Sequence, residues 1–298
     1  MMRSKLLVTY LALVISGCVA GEYNAPSHMR VMRDDAANRP YQFTTSTEVS
    51  RVGETSQRFE IRHGDCGNYD CNNDRRRIEV NENDGDREAR VGQTVWYGWS
   101  MYLPAEFTDL GRSSTTLGQA KLLRWRGPLW NFNANRGIFF MEYRPQGEHN
   151  STTCRGIPLS QIRGRWTDVV VYANYDRENP NGAPMFQTWI NGRLVCSDNR
   201  PLVTSAMISS AGRDRITLRY GIYNSYVSRW LNDNRTRSVN ATGFADYHTD
   251  SGGTVNSIAA RPFDIDWGVE LPTQIVFYDE VRIGRSREEV DVRMRHPN

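Results

Sequence analysis

Lysine is almost missing from this sequence, since only Lys5 and Lys121 are lysines among its 37 basic residues. A strong excess of one charge is missing as well, because 34 acidic residues leave a formal net charge of +3. A nearly neutral chain does not attract polyanions through its overall field, so any polyanion has to bind at a local cluster of cations. We therefore expect no nucleic-acid partner.

Helical periodicity, internal repeats and the strand–helix alternation of parallel sheets are missing too. Only the segments 158–164 and 286–293 offer a turn or two of helix. Short segments rich in β-branched and aromatic residues instead predict strands at 57–63, 76–82, 94–103, 118–125, 137–144, 166–174, 185–192, 193–196, 215–223 and 274–284. Asn191 and Gly192 predict a hairpin turn. The pattern predicts an all-β fold, a concanavalin-like β-jelly-roll sandwich of two antiparallel sheets.

The N-terminal apolar run "LLVTYLALVI" follows Arg3 and Lys5 and is too short to span a bilayer comfortably. It predicts a signal peptide over residues 1–17. The run ends in "ISGC", which resembles the lipobox of bacterial lipoproteins and implies a lipid on Cys18 and a tether over 18–40. An ordinary signal peptide cleaved nearby is the alternative. We expect an exported bacterial protein of the periplasm, outer membrane or cell surface, which contacts the membrane only through this anchor.

The remaining chain, 41–298, has the length and the apolar content of one large domain, which we expect to be monomeric. Residues 225–272 interrupt the strand pattern with a polar segment rich in Gly and Asn. A connection this long is usually functional or disordered. It is therefore either a segment that overhangs a groove or a mobile surface insertion.

Four cysteines remain once Cys18 is set aside, and an even count in an exported chain predicts two disulfides. Cys66 and Cys71 flank one turn, so loop geometry favours the pairs Cys66–Cys71 and Cys154–Cys196. A zinc site is the competing interpretation, but "CGNYDC" lacks the close spacing of zinc knuckles.

Three aspartates, Asp65, Asp70 and Asp74, surround the first cysteine pair. They provide a possible structural calcium site, although their spacing does not fit an EF-hand loop. A stapled structural loop is the favoured interpretation, and we expect no cofactor.

Residues two apart on a strand share one face of the sheet. This places Arg77 with Glu79 on one predicted strand, while their neighbours Ile78 and Val80 face the core. The same parity places Gln119 with Lys121 on another strand. An ordinary solvated face would also be polar, so each pair alone is weak.

A third strand places Arg219, Gly221 and Tyr223 on one face. Glycine in a strand often marks the close approach of a ligand or of another backbone. Lys121 adds a second hint, because it is the only lysine beyond the signal peptide and lysine is the cation that can readily lose its proton.

The segments "RRIEV", "GQAK" and "RYGIYNS" resemble the three signature strands of jelly-roll polysaccharide lyases, namely the alginate lyases and the heparin lyase I and glucuronan lyase group. They occur in the same order, and the closing "VFYDEVRIG" is similar to the last strand of the heparin lyase I-like proteins. The resemblance extends from Arg58 to Gly284. It implies β-elimination on an acidic polysaccharide, in which the proton on C5 of a uronate is removed and the O4 glycosidic oxygen is expelled.

The resemblance also implies roles for single residues. Arg77 and Gln119 would engage the substrate carboxylate, and Tyr223 would be the catalytic tyrosine, with a pKa lowered by nearby cations. Arg219 stands where the family has lysine. Lys121 stands in place of a histidine, so it is either the base or a fixed charge that holds Tyr223 as the phenolate.

Further substrate-binding candidates are Glu79, Asn224, Trp125 and His63. Glu79 shares a face with Arg77, Asn224 belongs to the tyrosine motif, and Trp125 could stack on a sugar. His63 ends a predicted strand and is a second candidate base.

Two other functions remain open. A non-catalytic carbohydrate-binding protein would keep the groove without turnover, as the loss of histidine suggests. A jelly-roll glycoside hydrolase would need two carboxylates that flank the bond, and Glu79 lacks an obvious partner unless Glu142 serves.

Overall fold

The computed structural model describes residues 29–32, 36–82, 88–145, 151–239 and 261–297. These residues form two antiparallel β-sheets, which confirms the predicted β-sandwich. The strands are β1 (Met29–Val31), β2 (Phe43–Ser46), β3 (Ser56–Ile61), β4 (Arg75–Glu82), β5 (Ala89–Arg90), β6 (Thr94–Leu103), β7 (Ser114–Leu122), β8 (Trp130–Asn135), β9 (Ile138–Tyr143), β10 (Thr152–Thr153), β11 (Ile157–Pro158), β12 (Arg165–Asn174), β13 (Phe186–Ile190), β14 (Arg193–Asp198), β15 (Arg215–Ser225) and β16 (Gln274–Gly284).

The first sheet has the strand order β1-β4-β15-β7-β8-β9-β10, and β5 and β11 add to β15 and β9. The second sheet has the order β14-β13-β12-β6-β16-β3-β2. Asn191 and Gly192 adopt positive φ angles of 50° and 79° between β13 and β14. The predicted hairpin turn is therefore confirmed.

The main core lies between the two sheets, where side chains that alternate along the regular parts of the strands point inward. On β6 the buried inward residues are Val95, Tyr97, Trp99, Met101 and Leu103. Trp99 stacks on Trp130 of the opposite sheet, with ring centroids 6.4 Å apart. Each fully buried side chain of this size contributes about 1.5–3 kcal/mol, so this layer fixes how the sheets face each other.

Short helices occupy the connections. They are α1 (Asn68–Cys71), α2 (Ser205–Ala211), α3 (Val227–Asn234), α4 (Arg287–Val290) and α5 (Val292–Arg295), with 3₁₀ turns at Leu159–Gln161 and Pro262–Asp264. The predicted helical turns at 158–164 and 286–293 are present, whereas α2 and α3 were not predicted.

Both predicted disulfide pairs are confirmed. Cys66 and Cys71 close the loop between β3 and β4, with Cα atoms 5.2 Å apart. Cys154 and Cys196 have Cα atoms 5.6 Å apart, and they tie the segment after β10 to β14 of the other sheet.

The aspartates around the first disulfide do not converge on one point. Their separate partners are Tyr41 for Asp65, Arg77 for Asp70 and Ser228 for Asp74. No group of three or more His, Cys, Asp or Glu side chains placed to hold a metal ion occurs in the described part of the chain.

The structure covers only part of the predicted N-terminal segments. Residues 1–28, with the signal peptide and Cys18, lie outside the described residues. The predicted tether is shorter than expected, because β1 pairs with β4 and places Met29 opposite Glu82. A strand of three residues is too short to show a sequence period. None of the described helices is long and apolar enough to cross a membrane.

The described ends of the segment 225–272 are folded. Helix α3 and the residues before β16 build a second, smaller apolar cluster of Leu110, Val227, Leu231, Trp267 and Leu271. Residues 240–260 lie outside the described residues.

Candidate active site

A cleft of about 560 Å³ lies on the face of the first sheet that points away from the core. Strands β4, β15, β7, β8 and β9 form its floor, and it contains six of the predicted site residues: Arg77, Gln119, Lys121, Trp125, Arg219 and Tyr223. Strand pairing brings these together, since Tyr223 lies opposite Arg77 and Arg219 lies opposite Gln119.

A bulge in β7 enlarges this polar face. The register of β7 against β8 shifts between Thr116 and Gly118, so the parity of the outward side chains changes there. Ser114 and Thr116 therefore line the same cleft as Gln119 and Lys121, although simple alternation would point them to the opposite face.

Gly221 marks the approach of a neighbouring backbone rather than of a ligand. Its φ angle is +134°, and a Cβ atom there would lie 2.3 Å from the carbonyl oxygen of Ile78 and 2.9 Å from Cα of Glu79. Only glycine fits this point, which lies between Arg219 and Tyr223.

Arg77 is held by two carboxylates. Its Nε and Nη2 donate to the two oxygens of Asp70, both at 2.6 Å, and its Nη1 lies 3.5 Å from Glu79. The other Glu79 oxygen accepts a hydrogen bond of 2.7 Å from Nε2 of Gln119. Asp70 therefore occupies the edge of the Arg77 guanidinium formed by Nε and Nη2, and that edge is not available to a substrate carboxylate.

Tyr223 packs under the guanidinium of Arg77, whose Cζ lies 4.3 Å from the ring centroid. Burial raises the pKa of Tyr223 above its ordinary value, although the charges of Arg75 and Arg77 act in the opposite direction. The expectation that cations would lower this pKa is wrong, because desolvation outweighs them. The hydroxyl is therefore protonated at neutral pH.

Lys121 is half-buried beside Arg219. Burial, followed by the positive charge of Arg219, lowers the pKa of Lys121 to about 8, while Glu79 acts to raise it. Nε of Arg219 is buried and has no hydrogen-bond partner among the described residues. The cleft thus contains a lysine that titrates near neutrality and an arginine with a free donor.

The cleft is strongly basic. Among its described lining residues one is acidic, Glu142, and six are basic: Arg75, Arg77, Lys121, Arg126, Arg144 and Arg219. Sequence reasoning missed Arg75, although parity with Arg77 places it on the same face. It also missed Tyr69, Tyr226, Asn131 and Arg144, because no motif covers them.

Three predicted site residues do not line the cleft. Asn224 is fully buried, where it accepts a hydrogen bond of 2.6 Å from Nε of Arg76. Its predicted contact with substrate is wrong, because strand parity turns it to the inner face. His63 accepts the backbone N–H of Leu271 through Nδ1 and lies against Phe263, so it is not a base in this cleft. Glu79 is buried beneath the floor, where it orients Gln119 and Arg77.

The fold matches that of known jelly-roll lyases. An endo-β-1,4-glucuronan lyase from the fungus Trichoderma reesei is similar over 86% of this chain and 92% of its own, with 17% identity and a TM-score of 0.55. Alginate lyase A1-II' is similar over 87% of this chain and 95% of its own, with 11% identity and a TM-score of 0.51.

The sequence supports the same class. A family model described as polysaccharide lyase matches residues 22–247, which is well over half of the chain. The chain belongs to this polysaccharide lyase family. A search of curated protein sequences found no match.

Proposed function

We propose that this enzyme is a secreted lyase that cleaves a uronate-containing acidic polysaccharide by β-elimination. The observation that carries the proposal is the basic cleft, in which Tyr223, Lys121 and Arg219 line one surface. A cleft with an excess of cations concentrates a polyanion and holds its carboxylates. The TM-scores above support the fold, and the substrate class rests on the chemistry of the cleft.

The carboxylate of the uronate binds to Arg219 and Gln119. Arg219 lines the cleft, and the side chain of Gln119 is fixed by its hydrogen bond to Glu79. These donors stabilise the negative charge that develops on the carboxylate when C5 loses its proton. Arg77 contributes its charge from the cleft wall rather than a direct bidentate contact.

Lys121 is the base and Tyr223 is the acid. The two environments push the two pKa values apart, down to about 8 for Lys121 and upward for Tyr223, as expected for a base and an acid that line one cleft. The neutral amine takes the proton from C5, the C–H electrons form the C4–C5 double bond, the C4–O4 bond breaks, and Tyr223 donates its proton to O4.

The two alternatives fit the cleft less well. A hydrolase of the usual kind needs two carboxyl groups about 5–9.5 Å apart on either side of the bond. Glu142 lines the cleft, but Glu79 is buried and accepts hydrogen bonds on both oxygens. A pure binding protein does not require a half-buried lysine and a protonated tyrosine in the same cleft.

The test is the ultraviolet absorbance of the unsaturated product, measured on glucuronan, alginate, heparin-like and bacterial exopolysaccharide substrates. The wild-type enzyme should produce it on at least one polymer, and Tyr223→Phe should lose nearly all of this activity. Tyr172→Phe, a half-buried tyrosine on the other sheet, is the matched control. Reducing ends without unsaturation would indicate a hydrolase, and binding without either product would indicate a lectin.

Export and lipid anchoring on Cys18 complete the proposal, supported by the apolar run and the "ISGC" sequence. In a bacterial host, Cys18→Ser should move the enzyme from the membrane fraction to the soluble fraction. A wild-type chain that is already soluble and begins at another residue would contradict the anchor.

A further inference from the structure

Asp70 is a fully buried carboxylate outside the strands of the cleft. It lies on α1, in the loop between β3 and β4, and its exposed fraction is 0%. Both of its oxygens accept hydrogen bonds of 2.6 Å from Nε and Nη2 of Arg77. Such a bidentate pair fixes the plane of the guanidinium as well as its position.

The fixed guanidinium is the surface on which Tyr223 rests. Cζ of Arg77 lies 4.3 Å from the Tyr223 ring centroid. Because the ring packs on the guanidinium, the orientation that Asp70 gives to Arg77 also restrains the ring. A ring that donates a proton to O4 must be placed to within a fraction of an ångström, and a misplacement of about 1 Å can cost about 10²-fold in rate.

The loop is built to hold Asp70 in place. Cys71, the next residue, is joined to Cys66, and its backbone N–H donates to the carbonyl of Gly67 at 2.9 Å. The carbonyl of Asp70 accepts the backbone N–H of Asn73 at 3.1 Å. The disulfide therefore restrains the carboxylate that orients Arg77.

We propose that Asp70 is a positioning residue of this lyase: it acts through Arg77, fixing the Tyr223 ring and neutralising part of the guanidinium charge next to it. The inference rests on the proposed function, because it assumes that Tyr223 is the acid.

The charged groups around Tyr223 set the expected direction. Arg75 and Arg77 on β4 lower the pKa of Tyr223, whereas Asp70 on α1 and Glu79 on β4 raise it. On β7 the residue opposite is Thr116, which carries no charge. Loss of the Asp70 charge should therefore lower the pKa of Tyr223, and the phenol would lose its proton at a lower pH.

The first experiment compares Asp70→Asn with Asp65→Asn. Asp65 lies in the same loop and is 4% exposed, but it bonds to Tyr41 and to the backbone of Arg62, away from the cleft. We expect Asp70→Asn to lower kcat at least about tenfold with little change in KM, and to move the alkaline limb of the kcat/KM profile to lower pH. Asp65→Asn should keep the kcat and the pH profile of the wild type.

The second experiment does not depend on turnover. Protein labelled with 3-fluorotyrosine gives a fluorine resonance for Tyr223, assigned by its loss in Tyr223→Phe, and its titration reports the pKa directly. Asp70→Asn should shift this titration to lower pH and broaden or move the resonance, whereas Asp65→Asn should leave it unchanged.

The outcomes separate the two proposals. A wild-type enzyme that forms no unsaturated product on any polymer overturns the lyase mechanism, yet a shifted fluorine titration would still support the link from Asp70 to Tyr223. An unshifted titration in folded Asp70→Asn overturns the link, as does an equal loss of kcat in Asp65→Asn, because the loop alone would then explain the effect.

Discussion

The hydroxyl of Tyr278 lies 2.9 Å from the carbonyl oxygen of Gly221. Tyr278 belongs to β16 in the second sheet and Gly221 to β15 in the first, so the contact joins the sheets beneath the cleft. The same hydroxyl lies 2.5 Å from the carbonyl oxygen of Leu117, at the bulge of β7. The hydroxyl of Tyr278 thus contacts one carbonyl on β7 and one on β15, each at an irregular point of its strand. These are the strands that carry Gln119 and Tyr223.

Tyr278→Phe should reduce both stability and activity. It removes the hydroxyl that donates to these two carbonyls, which costs about 1–3 kcal/mol of the free energy of unfolding. The bulge that places Gln119 should then relax, so kcat should fall in the folded enzyme. Denaturant unfolding and kcat at saturating substrate measure the two effects.

Tyr97→Phe is the control for this change. Tyr97 is also fully buried, but its hydroxyl meets that of Tyr175 at 3.2 Å, away from the cleft. A similar loss of stability with unchanged kcat is expected there. An unchanged kcat in Tyr278→Phe would show that the bulge does not depend on this hydrogen bond.

Strand parity predicted which side chains of three strands share the polar face that forms the cleft floor. Alternation on β4, β7 and β15 was enough to place Arg77, Gln119, Lys121, Arg219 and Tyr223 on one surface, because a side-chain period of two depends only on the local backbone. The same rule, applied strictly, also rejects Asn224, which is one residue from Tyr223 and faces inward. Asn224 was a substrate-binding candidate only because it belongs to the tyrosine motif.

Contacts set by loop closure and bulges were not predictable. Ser114 and Thr116 reach the cleft through a register shift that no alternation shows. Strand β8 was missed because Asn131 and Asn133 are poor strand formers, and they are tolerated there as polar residues of the sheet. The pairing of Asp70 with Arg77 requires the fold of α1, which four residues of sequence do not specify.

The two disulfides should have different main effects. Loss of Cys154–Cys196 should reduce stability more, and loss of Cys66–Cys71 should reduce activity more. In the loop-entropy model, a separation of 5 residues is worth about 2 kcal/mol and one of 42 residues about 4 kcal/mol. Replacing both Cys154 and Cys196 by Ser should therefore destabilise more. Replacing both Cys66 and Cys71 by Ser should lower kcat more, because it frees Asp70. Thermal unfolding and kcat should be measured for both double variants. The prediction is contradicted if the variant that loses more stability is also the variant that loses more kcat.

The lysine in the cleft should weaken the fold at neutral pH. Its pKa falls from 10.5 to about 8 on folding, so the charged form is disfavoured in the native state. Lys121→Met should raise the free energy of unfolding near pH 7 by on the order of 1–3 kcal/mol. Below about pH 8 both states of the wild type hold the proton and the cost is complete, whereas it declines as pH rises towards 10.5. A gain that stays constant over this range would reflect packing rather than charge.

The pH dependence of elimination tests the role of Lys121. If the neutral amine removes the C5 proton, kcat/KM should rise with pH through about 8, where Lys121 loses its own proton in the free enzyme. If Lys121 acts as a fixed positive charge, kcat/KM should instead fall through the same range. Burial holds the pKa of Tyr223 above its ordinary value, so the phenol remains protonated across this interval and does not obscure the result.

Two substitutions of Lys121 complete this prediction. Arginine supplies charge but does not lose its proton in a protein, so Lys121→Arg should abolish turnover if the lysine is the base and leave a measurable fraction if it acts only as a charge. Lys121→His should retain part of the activity and move the rise in kcat/KM down towards about pH 6.5, the ordinary pKa of imidazole. Circular dichroism must first show that both variants fold. A rise that stays near pH 8 in Lys121→His would assign the titration to another group and exclude Lys121 as the base.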